Sequence, residues 1–230
     1  MHTKINLRGP IPDFIHISDG KLNDVNALDL IVPEPGAFYL FDRAYTDFQR
    51  LYLFDQAGAS FVSLLKKSIL WKRRYSHDID KAAGIRSDQT IMLTGKNTPR
   101  YYPQPLRRIH FYAEERDKHL IFITNNFDLP AATIAKLYKM RWKIELFFKW
   151  IKQHLRIKTF YGTNQNAVKT QIWIAIAVYV LIAIIKKRLD LDHSLYTILQ
   201  VFSTTIFEKS SIPQVFQRYD HESLLMPPSN

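Results

Sequence analysis

The chain has 230 residues, of which 47% are hydrophobic, 13% aromatic and 23% charged, a composition that suits one globular domain with an inserted subdomain and argues against disorder. Lysine and arginine total 32 against 21 acidic residues, so the net charge of +11 favours a polyanionic partner. The absence of cysteine excludes disulfides, thiolate zinc sites and cysteine nucleophiles.

The first 65 residues predict short strands and one helix. Strands near residues 4–7 and 13–18, separated by Arg-Gly-Pro, indicate a hairpin. A continuously apolar run at residues 37–41 stops at Asp42 and predicts a central strand of a sheet covered on both faces. A helix over residues 46–56 and a strand over 60–65 follow.

Residues 66–119 predict a β-rich insertion. Short β-like runs at residues 89–93, 108–112 and 119–124 are separated by proline-rich or charged loops. The chain then returns to the main sheet through residues 120–124. We therefore expect a catalytic domain in two parts, 1–65 and 120–190, with the insertion between them and a C-terminal tail over 191–230.

Two helices are predicted in the second part. The first opens at Asp128 and Pro130 and runs to about Arg156, and the second covers residues 166–189. Residues 172–185 form an unbroken apolar run that is too short for a comfortable membrane span and is flanked by basic residues. We expect a buried core helix there and no membrane association.

A polar stripe and an apolar face are predicted on the first of these helices. At about 100° per residue, the apolar face that should pack on the sheet comprises Leu137, Ile144, Phe148, Ile151 and Leu155. The stripe beside it comprises Tyr138, Arg141, Glu145, Lys149 and Lys152. An ordinary i,i+4 ladder would explain the charges. However, residues 136–158 hold eight basic residues and one acid, which favours an anionic partner.

The spacing of this stripe, Tyr-x2-Arg-x3-Glu-x6-Lys, closely resembles the signature of the DDE transposases of the insertion-sequence-four group. Residues 41–45, Phe-Asp-Arg-Ala-Tyr, resemble that group's second catalytic aspartate motif, which usually carries glycine where Ala44 stands. The alanine implies a turn that needs no positive φ. The resemblance also covers residues 162–174 and the opening hairpin.

The resemblance implies an α/β, ribonuclease H-like fold of the retroviral integrase kind, truncated at its first strand. Asp42 and Glu145 would be the second and third catalytic, metal-binding carboxylates. Trp142 would stack on a base, or would instead lie at the edge of the core. Contacts with the phosphates of the transposon end would come from Tyr138, Arg141, Lys149 and Lys152.

The chemistry implied by the resemblance is DNA cleavage and strand transfer at insertion-sequence ends, with two Mg or Mn ions held by carboxylates. The expected partners are double-stranded DNA, as terminal inverted repeats and target, and a second copy of the chain in a dimer on DNA. The expected location is the bacterial cytoplasm, associated with the nucleoid.

The first catalytic aspartate of the resembled family lies on a strand that precedes residues 2–9. Asp13, Asp19, Asp24 and Asp29 are better explained as turn formers or caps. We therefore expect a partial transposase with weak or no activity alone, and a catalytically inactive DNA-binding remnant is the alternative. An unrelated nuclease with a two-carboxylate site is a third hypothesis.

Two further signals stay open. Trp71 lies between Lys66-Lys67 and Lys72-Arg73-Arg74, and this basic, aromatic patch would either track DNA or form a solvated charge cluster. His154, beside the stripe, is interpreted as a packed or solvated residue and not as a metal ligand.

Overall fold

The computed structural model describes residues 1–9, 11–18, 24–155, 162, 164–205 and 207–225. The chain divides into two compact units. The first comprises Met1–Thr3 and Ile15–Lys143, and the second comprises Lys4–Phe14 and Ile144–Asn230. The predicted boundaries at residues 65, 119 and 190 stay a prediction. Asp19 and Arg156 lie outside the described residues.

A six-stranded mixed sheet forms the centre of the first unit. Its order is β3-β4-β8-β7-β6-β5, with β3 and β4 parallel and every other neighbouring pair antiparallel. The strands are β3 Phe38–Leu40, β4 Ser60–Leu64, β5 Trp71–Ser76, β6 Ile85–Leu93, β7 Leu106–Ala113 and β8 Lys118–Thr124. This mixed α/β architecture is consistent with the predicted ribonuclease H-like fold.

Helices cover both faces of this sheet because successive strand residues point to opposite sides. Phe61 of β4 belongs to one buried cluster, which includes Leu51 of helix α1 (Phe48–Gln56). The next residue, Val62, belongs to a second cluster, which includes Ile134 of helix α3 (Ala131–Lys139). The predictions of α1 and β4 are therefore confirmed.

The position of β3 differs from the prediction. Its residues are covered on both faces, since Tyr39 lies in the first cluster and Leu40 packs against the second. However, β4 is the only strand that pairs with β3 among the described residues, so β3 is an edge strand and not a central one. A run of apolar residues reports that both faces of a strand are covered, and it carries no information about how many strands flank it.

The β-like runs predicted at residues 89–93, 108–112 and 119–124 are confirmed as parts of strands β6, β7 and β8. Strand β5 was not predicted. Strands β5 to β7 extend the same sheet that holds β4 and β8, and a short helix α2 (Thr98–Tyr101) lies between β6 and β7. The opening hairpin is also confirmed, as a two-stranded sheet of β1 (His2–Asn6) and β2 (Ile11–His16). Whether residues 66–119 are an insertion stays a prediction.

The long helix predicted from Pro130 to about Arg156 is wrong as one element. It is two helices, α3 and α4 (Trp142–His154), separated at Met140 and Arg141. The backbone N–H groups of these two residues donate to the carbonyls of Leu137 and Tyr138, three positions back. Such bonds tighten the chain, so an angular count of 100° per residue does not carry from α3 into α4.

The predicted apolar face is corrected by the same break. Of its five residues Ile151 is buried, and the other four are half-buried. The residues that α3 and α4 bury fully are Ile134, Ala135, Tyr138, Phe147 and Ile151.

The second unit is built mainly from helices. Helix α5 (Gln165–Arg188) confirms the predicted second helix, and α6 (Leu195–Thr205) and α7 (Ile212–Leu225) follow it. The Asn164 side chain accepts a hydrogen bond from the Ala167 N–H at 2.7 Å and thereby caps the start of α5. Ile182 of α5 packs with Ile198 of α6 and Phe216 of α7 in one cluster.

Helix α5 is less buried than predicted. Ala175, Ile176 and Tyr179 are buried, but Trp173 and Leu181 are exposed by about half. Helix α5 is long and apolar enough to cross a membrane, judged by length and composition only. In its most apolar 18-residue stretch, 28% is buried. It is therefore a helix with one buried face and not a fully enclosed core helix.

Candidate nucleic-acid and metal site

Asp42 lies two residues beyond the end of β3, where the chain turns away from the sheet. One of its carboxylate oxygens accepts a hydrogen bond from the Ala44 N–H at 3.1 Å and caps a 3-10 turn formed by Arg43–Tyr45. The turn has no positive φ, as the alanine predicted. The Asp42 side chain remains 46% exposed, so a ligand can approach the carboxylate.

Arg141 brings the two predicted motifs together. Its Nη1 lies 3.2 Å from Asp42 Oδ2, and its guanidinium carbon lies 5.7 Å from the centre of the Tyr138 ring. The tight turn between α3 and α4 presents Arg141 at this point. Asp42 is distant in the sequence from Tyr138 and Arg141, and the three residues form one cluster within the first unit.

Tyr138 is buried rather than exposed. Its ring is 6% exposed and lies 5.0 Å from the ring of Phe122 on β8. Its hydroxyl is buried and has no hydrogen-bond partner among the described residues. Burial raises the pKa of Tyr138 to about 12, an effect that the positive charge of Arg141 opposes. The predicted contact of Tyr138 with phosphate stays a prediction, and the phenol at present supports the sheet.

Glu145, Lys149 and Lys152 lie on α4. Glu145 is half-buried in the first turn of the helix, where the helix dipole favours an acidic side chain. Lys149 and Lys152 are exposed. These three residues belong to the second unit, so their position relative to Asp42 stays a prediction.

Trp142 lies at the surface, 44% exposed. The guanidinium carbon of Arg116 lies 5.4 Å from its ring centre, a distance at which a cation is attracted to an aromatic face. This contact is compatible with Trp142 stacking on a base and with Trp142 lying at the edge of the core. Both interpretations stay open. His154 stacks on Tyr196 at 4.2 Å, in agreement with a packed residue.

The donors present suit a hard divalent cation in kind but not in number. Carboxylate oxygens are the protein ligands that Mg²⁺ and Mn²⁺ prefer. Within the described part of the chain, no three His, Cys, Asp or Glu side chains lie close enough together to hold a metal. Asp42 is therefore suited to be one ligand of a metal site that needs further carboxylates.

A buried ion pair that the sequence analysis missed fixes the start of α3. Arg107 on β7 donates to both carboxylate oxygens of Asp88 on β6, at 2.9 and 2.6 Å. It also donates to the backbone carbonyls of Asn126 and Leu129, at 3.3 and 2.6 Å, just before α3 begins. In the sequence each of the two residues directly precedes a predicted strand, 89–93 or 108–112, and no pattern links them.

Comparison with known proteins places these features in a family. The transposase DDE domain matches residues 1–181 of the chain. A Sinorhizobium fredii protein named as a transposase is 32% identical over 219 residues, which is 94% of this chain and 61% of that protein. A Geobacillus stearothermophilus protein named as a transposase for an insertion sequence element is 32% identical over 146 residues, 61% of this chain and 37% of that protein.

The chain spans about three fifths of the length of the Sinorhizobium relative. A Synechocystis protein, also named as a transposase for an insertion sequence element, is 26% identical over 79% of this chain and 51% of its own length. No solved structure matches the chain significantly. Because the domain match covers well over half of the residues, the chain belongs to the DDE transposase family.

Proposed function

We propose that this chain is the C-terminal part of an insertion-sequence transposase that cleaves and joins DNA by metal-dependent phosphodiester chemistry. The observation that carries the proposal is the 3.2 Å ion pair between Asp42 and Arg141. The motifs that hold these two residues lie far apart in the sequence and side by side in one unit. This contact is independent of the spacing within either motif.

In this proposal Asp42 and Glu145 would hold divalent cations. When bound, such a pair of ions would supply activation of the attacking water or 3′-hydroxyl and charge stabilisation at the leaving oxygen. Arg141 holds the Asp42 carboxylate in place before DNA arrives and then binds phosphate, an exchange that suits a guanidinium because it binds both anions in the same planar geometry. Lys149 and Lys152 are exposed and would bind phosphates further along the strand.

A first carboxylate is still needed. We propose that it lies on a strand that adds to the open side of β3, because β4 is the only pairing strand of β3 among the described residues. Such a strand would bring a carboxylate near Asp42 at the same end of the sheet. Assembly of two copies on paired transposon ends and a cytoplasmic, nucleoid-associated location belong to the same proposal.

The test is cleavage of a plasmid that carries the DNA flanking the gene, with Mg²⁺ or Mn²⁺ present. The chain alone should nick weakly or not at all, and supplying the preceding coding segment as part of the protein should restore nicking. In the restored protein D42N and E145Q should abolish nicking. The matched control, E208Q, changes an exposed glutamate that pairs with Arg218, and should leave nicking unchanged.

Robust nicking by the chain alone that survives E145Q would overturn the proposal. The alternative, an inactive DNA-binding remnant, is favoured by the lack of a three-ligand metal cluster among the described residues. That alternative predicts DNA binding without nicking even when the preceding segment is supplied.

A further inference from the structure

Five basic residues lie close together in the sequence of the first unit. Residues 56–77 contain no acidic side chain, and their basic residues are Lys66, Lys67, Lys72, Arg73 and Arg74, here called the basic strip. Three of the five lie on β5, which is the edge strand of the sheet on the side opposite β3. Lys66 and Lys67 lie in the loop between β4 and β5.

Most of the strip is exposed and unpaired. Lys67, Lys72, Arg73 and Arg74 are exposed, and none of their side chains has an ion-pair or hydrogen-bond partner among the described residues. By contrast, three other arginines of the first unit lie beside carboxylates; Arg50, for example, lies 2.6 Å from Asp29. Concentrated unpaired positive charge repels itself, which a bound anion would relieve.

Protection of an edge strand against aggregation explains only part of this pattern. One or two charges and a β-bulge are enough to prevent edge-to-edge pairing, and β5 has its bulge at Arg74, between the pairs Arg73–Ile91 and Tyr75–Thr90. The basic strip has more charges than this needs, and the neighbouring aromatic side chain of Tyr75 is 63% exposed. Both features are typical of surfaces that bind nucleic acids.

The cations of β5 are presented on both faces of the sheet. Successive side chains of a strand point to opposite faces, so Lys72 and Arg73 lie on opposite sides of this edge strand. A phosphate backbone that passes the edge therefore meets positive charge on either side. Beside them, Trp71 stacks against the guanidinium of Arg108 on β7, whose carbon lies 4.6 Å from the ring centre, so a further positive charge borders the strip.

The strip begins near Asp42. The Lys66 Nζ lies 3.4 Å from the backbone carbonyl of Thr46, immediately after the turn that Asp42 caps. Strands β3 and β4 are parallel, and Asp42 and Lys66 each follow the carboxyl end of one of them. The two residues therefore lie at the same end of these strands. DNA that reaches Asp42 would therefore meet Lys66 first, and the three cations of β5 lie at the opposite edge of the sheet.

We infer that the basic strip binds the phosphate backbone of DNA, independently of base sequence, as a contact surface additional to α4. This inference rests on the proposed function only in taking the polyanion to be DNA. The strip would hold DNA that flanks the reacting phosphate and would add to affinity without adding sequence recognition.

The test is fluorescence anisotropy with a labelled duplex of unrelated sequence, measured at several salt concentrations for the full chain. R73Q/R74Q should weaken binding roughly 60-fold at 0.1 M salt and reduce the slope of log K against log salt by about 1.8, because each neutralised phosphate contributes about 0.9. R73K/R74K keeps both charges and should bind nearly as the wild type does. Circular dichroism melting checks that each variant is folded.

The matched control is K187Q/R188Q, which removes two exposed consecutive cations at the end of α5 and should change the slope little. Weakened binding in R73Q/R74Q that R73K/R74K restores supports the inference. Unchanged binding in R73Q/R74Q, with weakened binding in K149Q/K152Q, overturns the strip and leaves the proposed function standing. Equal losses in R73Q/R74Q and K187Q/R188Q would also overturn it, and no DNA binding by the wild-type chain would refute both proposals.

Discussion

Replacing Arg107 with methionine should destabilise the first unit more than any surface substitution. The side chains of Arg107 and Asp88 are only 8% and 3% exposed. The arginine makes four hydrogen bonds, two to the Asp88 carboxylate and two to backbone carbonyls. R107M leaves a buried carboxylate without its cation, and removing one member of such a pair costs about 3 to 5 kcal/mol.

The second change in this experiment removes both charges. In D88L/R107M no unpaired charge remains, and the loss reduces to the hydrogen bonds that Arg107 donates to the part-buried carbonyls of Asn126 and Leu129, at about 0.5 to 1.5 kcal/mol each. R107M loses the same two bonds, so the double variant should be more stable than R107M by about the 3 to 5 kcal/mol that the unpaired carboxylate costs. R107K keeps the charge but lacks the planar fork, and it should fall between the wild type and R107M.

The assay is urea unfolding followed by circular dichroism, with hydrogen exchange to locate the effect. R107M should also accelerate exchange of the amides at the start of α3, because Arg107 holds the two carbonyls that precede this helix. An R107M variant within 1 kcal/mol of the wild type, or a double variant as unstable as R107M, would refute the reasoning.

Two further predictions concern the second unit and the cluster around Arg141. N164A removes the side chain that caps α5 at 2.7 Å and should lower the free energy of unfolding by about 1 kcal/mol. N164D can also cap the helix and should cost much less. Equal losses of the two variants in urea unfolding would contradict the capping role. Tyr138 has a pKa raised to about 12, so its neutral form stabilises the fold below the ordinary tyrosine pKa of about 10 and that stability is lost as pH rises through 12. Y138F should lessen the decline of melting temperature above pH 10, and an unchanged decline would contradict this assignment.

Local patterns predicted most elements of the first unit. The apolar run before Asp42, the helix over residues 46–56 and the strand before Asn125 each depend on neighbours in the sequence, and each was found. The break between α3 and α4 was missed because neither proline nor glycine marks it. Helix propensity therefore gave no reason to separate Tyr138 from Glu145.

Long-range features were less accessible. The edge position of β3 depends on which strands pair, and the Asp88–Arg107 pair joins residues on different strands whose register the sequence does not specify. The contact of Asp42 with Arg141 joins a strand end to the turn after α3, which are far apart in the sequence. Single-sequence reasoning therefore identified the residue types of the candidate site better than their arrangement.

The short parallel pairing of β3 with β4 determines how precisely Asp42 is positioned. Only three residue pairs, Phe38 with Ser60, Tyr39 with Phe61 and Leu40 with Val62, register β3 against the rest of the sheet. A slip of one residue would shift Asp42 by about 3.3 Å, as much as the whole 3.2 Å separation between its carboxylate and Arg141. A slip of one residue would therefore be enough to separate Asp42 from Arg141. The three residue pairs between β3 and β4 set the register on which this contact depends.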